Sequence, residues 1–233
     1  MKCSVVVPVH NEAAVLSAFV TAFWDGLGDM QRDVAEILLV ENGSTDDSYQ
    51  VACALEDRLP PVHAYEMETP SYGEAVRFGI SEARADWVCI LECDVMQPDF
   101  VRTAGTCIRE AADFVVASKR HPDSVDARPF RRRALTYLFN TYLSLRLGFS
   151  GTDTHGLKAI RTPVAKRLAE LCVTSGEVLQ TELVLIAERL GYSIVEVPLR
   201  LEERRCPTVS ITRRLPKVVR MIGELRDSLA RFP

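Results

Sequence analysis

The sequence predicts an α/β protein with a mostly parallel central sheet flanked by helices. Three observations carry that expectation. Short strand-like runs recur along the first half, at Ser4–Val9, Glu36–Glu41, Val62–Met67, Trp87–Leu91 and Asp113–Ser118. Stretches with apolar residues at helical spacing fill the gaps between them. Most of the runs are apolar throughout rather than alternating, as strands buried on both faces are. Strands alternating with helices imply right-handed crossovers and helices on both sheet faces.

The elements follow in order. "SVVVPV" opens as the first strand. "NEAAVLSAFVTAFWDGL" places Val15, Leu16, Phe19 and Phe23 on one helical face, with Asn11 suited to its N-cap and Glu12 to its first turn. "EILLVE" is the second strand, "NGSTDDS" breaks it, and Ser48–Arg58 reads as a helix. Val62–Met67, helix Gly73–Ala83, Trp87–Leu91, helix Asp99–Ala111 and Asp113–Ser118 complete the first half. After Ser118 the rhythm changes. "KRHPDSVDARP" is polar and contains proline, and is expected to be a mobile loop. "FRRRALTYLFNTYLSLRLG" is a long basic amphipathic helix, and "GTDTHGLKAI" turns through glycines into a short strand. Helices Pro163–Leu171 and Glu182–Leu190, the strand "YSIVEVPL" and a basic amphipathic tail from Ile211 to Phe232 follow.

The 233 residues suit one domain, 1–233, whose character shifts at residue 118. A net charge of −4 gives no support to a nucleic-acid partner. Arg and Lys concentrate after Ser118, so an anionic ligand is expected in the second half. No apolar stretch approaches the roughly 20 residues needed to cross a bilayer, and the chain enters its first strand without a signal peptide. Seven cysteines, odd in number and without a CxxC pair, fit thiols in a reducing cytoplasm. A zinc site at Cys89 and Cys93 lacks a nearby His or second Cys pair.

Sheets of this kind bind ligands beyond the carboxyl ends of their strands. The segments there read "HNE", "ENGSTDD" and "ECD". Glu92 and Asp94 are two apart, so on an extended chain they face the same way. That spacing suits a divalent metal held by one or two carboxylates with phosphate oxygens completing its shell. Such a metal stabilises charge on a diphosphate leaving group; a solvated acidic turn is the plainer reading of the pair. The dinucleotide fingerprint GxGxxG is absent after the first strand, which disfavours a dehydrogenase. Glu12 is placed to accept hydrogen bonds from a ribose or base. Asn42, Gly43 and Ser44 can form a tight turn beside which Glu41 or Asp46 could read a nucleobase edge; a plain Asx turn fits the segment equally.

In order and spacing, these segments resemble family 2 glycosyltransferases, specifically the polyprenyl-phosphate sugar synthases. "VVVPVHNE" resembles a P-x-Y-N-E opening, with His10 replacing the aromatic. "LLVENGSTDDS" resembles V-D-D-G-S-T-D, with Glu41 and Asn42 replacing the aspartates. "YGEAVRFGISEARADWVCILECD" resembles the stretch leading into a D-x-D signature, here Glu92-Cys93-Asp94. "DTHGLKAIR" matches at Asp153, Gly156 and Lys158, and "TELVLIAERLGYSIVEVPLRLEER" matches the family's later segment. The resemblance covers nearly the whole chain. It implies a GT-A fold, a Rossmann-like mostly parallel sheet flanked by helices, with a donor half over 1–118 and an acceptor half over 119–233. It implies that Pro8, His10, Glu12, Glu41, Asn42, Gly43, Asp46, Gly73, Arg77, Glu92 and Cys93 surround a nucleotide-sugar donor. It implies Mg²⁺ or Mn²⁺ on Glu92 and Asp94, with Asp94, Arg132, Asp153 and Lys158 as catalytic residues. Lys119, Arg120, Arg131 and Arg204 would hold an acceptor phosphate. The chain departs from the pattern at Glu92, at Met96 where a metal-binding Gln is usual, and at "CPTVSITRRLP", where Arg204, Arg205, Arg213 or Arg214 would replace a phosphate-binding lysine. A thioether is a poor ligand for a hard cation.

The resemblance further implies inverting transfer of a hexose from a GDP-mannose or UDP-glucose type donor to a polyprenyl phosphate. A hydroxyl acceptor would need a general base. A phosphate acceptor needs cations, and Lys119, Arg120, Arg128, Arg131, Arg132, Arg133 and Lys158 supply them. Arg131 to Arg133 point in different directions around a helix, so one or two of them can face a site; Arg132, four before Thr136, fits the branch's R-x-x-x-S pattern. Asp153 is either a base or a residue that orients Lys158 and its loop. A soluble or glycan hydroxyl acceptor, or a non-catalytic nucleotide-binding member, are the alternatives. In the tail, Val218, Val219, Ile222, Leu225 and Leu229 form a stripe suited to packing on the parent domain. The tail's basic face also permits docking on a membrane surface or a membrane-protein partner. The expected location is cytoplasmic, peripheral at the cytoplasmic membrane face.

Overall fold

The computed structural model describes residues 1–201 and 222–232. Its main sheet has seven strands: β1 (Cys3–Val9), β2 (Val34–Asn42), β3 (Val62–Met67), β4 (Trp87–Ile90), β5 (Phe114–Ser118), β7 (Lys158–Arg161) and β8 (Ile194–Pro198), in the order β3-β2-β1-β4-β7-β5-β8. Pairs within this sheet are parallel except those of β7, which runs antiparallel to both β4 and β5. Two short strands, β6 (Val125–Asp126) and β9 (Arg200–Leu201), pair apart from it. The helices are α1 (Leu16–Leu27), α2 (Ser48–Arg58), α3 (Tyr72–Glu82), α4 (Pro98–Arg109), α5 (Phe130–Leu147), α6 (Thr162–Leu171) and α7 (Leu179–Arg189). A 3-10 turn over Gly28–Asp33 links α1 to β2.

The period-2 alternation of strand side chains divides the core into two layers. Val5, Val7 and Val9 of β1 pack with Leu16, Val20 and Phe23 of α1 and with Phe100 and Ala104 of α4. Val6 of the same strand faces the other layer, with Val76 and Ile80 of α3, Leu168 of α6 and Leu183 of α7. The α3 contact depends on Gly79, where a Cβ would lie 2.3 Å from the Val6 Cγ1. Residues 222–229 are helical, and Leu225 and Leu229 are buried in that second layer. The described part of the tail thus packs on the domain; Val218 and Val219 lie outside the described residues.

Some sequence expectations need correction. Asn11 does not cap α1, which starts five residues later at Leu16; Asn11 instead adopts φ 55° and its side chain engages the β2–α2 loop. The segment after Ser118, expected as a mobile loop, is tied down. Ser124 Oγ donates to the Ser118 carbonyl at 2.6 Å and accepts from Leu199 N–H at 2.9 Å, and β6 pairs with β9.

Candidate active site

Because β1 to β5 are parallel, their carboxyl ends share one sheet edge. The antiparallel β7 begins at that edge, and Lys158 pairs with both Ile90 and Val116. The topology therefore gathers the segments that start at His10, Asn42, Glu92, Ser118 and Asp153.

At the tip of β4 the chain turns sharply: Val95 N–H donates to the Glu92 carbonyl at 2.9 Å. The turn separates the two acidic side chains. Glu92 is half-buried, and its Oε1 accepts from Tyr72 Oη at 2.6 Å and, more weakly, from Gln180 Nε2 at 3.4 Å. Gln180 also bonds the Tyr72 hydroxyl. Desolvation pushes the Glu92 carboxyl above its ordinary range, and the charge of Asp94 adds to this. Asp94 is exposed and lines a cavity of about 320 Å³ with Phe19, Phe23, Met96 and Arg200. Tyr72 belongs to the α3 side of the sheet and Phe19 to the α1 side. The expectation that Glu92 and Asp94 face the same way therefore fails, because residues 92–95 form a turn and not an extended strand. No group of three or more His, Cys, Asp or Glu side chains among the described residues could hold a metal. Of the two carboxylates, Asp94 is the exposed one, and Glu92 is engaged through one oxygen.

The β1–α1 and β2–α2 loops are laced together. His10 Nδ1 donates to the Asn42 carbonyl at 3.0 Å, and Asn42 Nδ2 donates to the Val9 carbonyl at 2.8 Å. Asn11 N–H donates to Ser44 Oγ at 2.9 Å, while Asn11 Oδ1 accepts from Thr45 N–H at 2.8 Å. Asp46 accepts from Ala13 N–H at 3.1 Å and from Ser48 Oγ at 2.5 Å; the Ser48 bond leads in holding its carboxyl below the usual range. Glu41 is buried and accepts Ser44 N–H at 2.5 Å. Gly43 takes φ +67°, the left-handed turn conformation that glycine adopts without strain. Glu41 and Asp46 thus hold the loop frame, while His10 and half-buried Glu12 stand nearer its open side.

Four expected donor contacts have other surroundings. Arg77 reaches away from the edge and donates to the carbonyls of Ala169, Cys172 and Thr174, each at 2.6 Å, pinning the end of α6 to α3. Gly73 permits a backbone crossing: its N–H donates to the Ser175 carbonyl at 2.9 Å, and a Cβ would lie 2.2 Å from that oxygen. Pro8 is buried within β1, and Cys93 is buried in the α1-side core.

Around β7 the charges form a buried set. Lys119 Nζ lies 2.7 Å from Asp153 Oδ2, which also accepts Lys119 N–H at 3.0 Å, and Asp153 Oδ1 accepts His155 N–H at 3.0 Å. Burial alone would raise the Asp153 carboxyl. The Lys119 ammonium and the two backbone donors outweigh it and bring the carboxyl to about 2. Lys158 is fully buried, with Nζ donating to the carbonyls of Thr154 and Gly156, each at 2.9 Å. Desolvation, with Lys119 adding repulsion, brings the Lys158 amine down to about 7. Gly156 makes the loop possible, because a Cβ there would lie 1.6 Å from the Ala117 carbonyl oxygen. Asp153 therefore orders the loop and pairs with Lys119, and a carboxylate this acidic is a weak general base. Lys158 has no exposed surface with which to meet an acceptor.

Lys119 also borders a cavity of about 650 Å³ between the 119–128 segment and α5. Arg120, Arg128 and Arg133 contribute charge to its lining; Phe130, Tyr137 and Leu138 contribute apolar surface. The Arg120 guanidinium lies 4.7 Å from the Tyr137 ring centroid, within cation–π range. Of the three consecutive arginines, Arg133 faces the cavity; Arg131 and Arg132 are not among its lining residues. Arg204, Arg205, Arg213 and Arg214 lie outside the described residues. Sequence reasoning missed Tyr72 and Gln180, the partners of Glu92. Their distance along the chain from position 92 left no local signal.

The glycosyl transferase family 2 model matches residues 4–168, and the chain belongs to that family. It is a glycosyltransferase. Among its relatives, the undecaprenyl-phosphate mannosyltransferase of Micrococcus luteus is 25% identical over 213 residues, covering 88% of this chain and 85% of that protein. The polyprenol monophosphomannose synthase of Mycolicibacterium smegmatis is 28% identical over 211 residues, covering 86% of this chain and 77% of that protein. The crystal structure of glucosyl-3-phosphoglycerate synthase from Mycobacterium tuberculosis, in complex with Mn²⁺, UDP-glucose and phosphoglyceric acid, aligns over all of this chain. Its TM-score is 0.71 at 22% identity, covering 80% of that protein. The fold is GT-A.

Proposed function

We propose that this glycosyltransferase moves a hexose from a nucleotide sugar to a polyprenyl phosphate with inversion at the anomeric carbon. The observation that carries this reading is the mixed cavity beside β5. Arg120 and Arg133 offer guanidinium groups suited to a phosphate, and Phe130, Tyr137 and Leu138 offer apolar surface suited to a prenyl chain. The two relatives named for polyprenyl-phosphate chemistry support the same acceptor class. Asp153, held at about 2 by Lys119, supports an acceptor that arrives already ionised over a hydroxyl that must lose a proton.

On this reading the nucleoside lies along the loops at His10–Glu12 and Asn42–Asp46. Asp94, the exposed carboxylate at the tip of β4, would hold a Mg²⁺ or Mn²⁺ ion, which would neutralise charge on the departing diphosphate. Arg120 and Arg133 hold the acceptor phosphate, while Lys119 fixes Asp153 and so the loop that supports Lys158.

The test is transfer from GDP-mannose and UDP-glucose, each with and without Mn²⁺, to a polyprenyl phosphate, a polyprenol and a glycan. Product from the phosphate alone, lost on Asp94→Asn, is expected. Transfer to a glycan or polyprenol hydroxyl with none to the phosphate would sink the reading.

A further inference from the structure

We propose that Gln180 is a specificity-determining residue whose amide oxygen accepts a hydroxyl of the donor hexose, and that Tyr72 is the positioning residue that aims it. Gln180 sits in the first turn of α7 and is 6% exposed. Its Nε2 donates to Tyr72 Oη and lies 3.4 Å from Glu92 Oε1. Its Oε1 is buried and has no hydrogen-bond partner among the described residues. Buried polar atoms are nearly always paired, so this oxygen calls for a donor that the described residues do not supply.

Counting hydrogens fixes which way the amide points. A phenol has one hydrogen to give, and an ionised carboxylate has none. Tyr72 Oη gives its hydrogen to Glu92 Oε1 at 2.6 Å, so it accepts from Gln180. The reversed amide would set an oxygen against Tyr72 Oη and Glu92 Oε1 with no hydrogen between them. The nitrogen therefore faces this pair and the oxygen faces away. Tyr72 is itself fixed from both sides, because Ser71 Oγ and Gly73 N–H donate to the same Ser175 carbonyl at 2.7 and 2.9 Å.

Place selects the ligand. The neighbouring Thr181 Oγ1 lies 3.0 Å from Thr154 Oγ1, in the loop that enters β7. Gln180 thus stands between the β4 turn that carries Asp94 and the β7 loop, and β7 separates β4 from β5 with its cavity. On the proposed reading the diphosphate lies at that turn and the acceptor enters beside β5, so the group between them is the hexose. Each hexose hydroxyl can donate the hydrogen that the amide oxygen lacks. A site built to bond a hydroxyl discriminates against a sugar that does not present it. The inference rests on the proposed hexose donor and not on the identity of the acceptor.

Isothermal titration calorimetry in Mn²⁺ tests it without any acceptor. The probes are UDP-glucose and GDP-mannose, their epimers UDP-galactose and GDP-glucose, and the diphosphates UDP and GDP. Wild-type protein should bind one sugar nucleotide in preference to its epimer. Gln180→Met keeps the side-chain length and removes the acceptor. It should weaken the preferred sugar nucleotide by roughly tenfold, leave the matching diphosphate within about twofold, and erase most of the preference over the epimer. Tyr72→Phe releases the amide and should lower that preference by roughly threefold, with diphosphate binding unchanged. It decides the matter if Gln180→Met does not fold; retained diphosphate affinity shows that a variant is folded. Sugar-nucleotide and diphosphate affinities that fall together would give Gln180 a structural role and overturn the proposal. So would a preference that survives both changes, or wild-type binding with no preference. Wild-type protein that binds none of the four sugar nucleotides would reject the hexose donor itself and this inference with it.

Discussion

Replacing Lys119 by methionine tests the buried charge set at its centre. The ammonium lies 2.7 Å from a fully buried carboxylate, and the lysine side chain is itself only 7% exposed. Asp153 falls from an ordinary 3.8 to about 2, which at about 1.36 kcal/mol per pH unit is about 2 kcal/mol of stability. The folded value lies below the unfolded one. That contribution is therefore complete above about 3.8 and disappears as pH falls through about 2. Methionine keeps the aliphatic reach but leaves the carboxylate unpaired, a change that costs about 3–5 kcal/mol in buried pairs. Relief of the repulsion between Lys119 and Lys158 puts the expectation at the lower end, about 3 kcal/mol. Without the ammonium, burial dominates and the folded Asp153 value rises above 3.8. The variant's deficit is then largest at neutral pH and shrinks as pH falls through that raised value. Urea unfolding followed by the fluorescence of Trp24 and Trp87 at pH 7 and pH 4.5 measures both effects. Adding Asp153→Asn to Lys119→Met should recover about 2 kcal/mol relative to the sum of the single changes. A deficit below about 1 kcal/mol at pH 7, or an additive cycle, would refute the pairing as a source of stability.

Three further outcomes follow from the same contacts. Arg77→Leu should cost about 3 kcal/mol in urea unfolding, because three carbonyls lose a charged donor; nucleotide affinity by calorimetry should stay within about twofold, and a tenfold loss would return Arg77 to the donor site. Gly156→Ala should lower stability by at least about 3 kcal/mol or prevent folding, since the Ala117 carbonyl occupies the space a Cβ needs; a soluble variant with an unchanged melting temperature would show that the loop can move aside. Arg133→Ala should raise the acceptor KM by roughly tenfold and Arg132→Ala by much less, with donor KM unchanged in both; the reverse order would place Arg132 on the phosphate.

The fold was legible where one chemical signal governs one element. β3 and α2 have the bounds that the sequence predicts, because apolar runs and helical spacing there end at clear breakers. The direction of β7 was not legible. "LKAI" reads as a short apolar strand in either direction, and only its pairing with β4 and β5 fixes it as antiparallel. The pairing of β6 with β9 joins two-residue strands more than seventy positions apart, below the reach of any local pattern. The start of α1 was misread for a related reason. Asn11 is a good N-cap by type, but its amide oxygen is taken by Thr45 on another loop.

Residue types pointed to the carboxyl edge of the sheet, where the structure gathers these segments, but did not reveal how their charges are spent. Lys158, Arg77, Asp153 and Asp46 all looked available because they are ionisable and sit in matching segments. Burial and backbone partners decide otherwise: Lys158 caps two carbonyls, Arg77 three, and Asp46 an amide and a hydroxyl. The residues left facing solvent are few and chemically distinct. Asp94 stands at the tip of β4, and Arg120 and Arg133 stand with exposed aromatic and aliphatic groups at the cavity beside α5. That division bears on the acceptor. A site that commits its buried carboxylate to a lysine, and so weakens it as a base, is suited to an acceptor that needs no deprotonation. Raising the basicity of Asp153 should not then speed transfer. Under Lys119→Met the folded value of Asp153 rises, and a phosphate acceptor gains nothing from it. A hydroxyl acceptor would gain a better base at neutral pH, so faster transfer to a hydroxyl in that variant would mark Asp153 as a catalytic base and reverse the assignment.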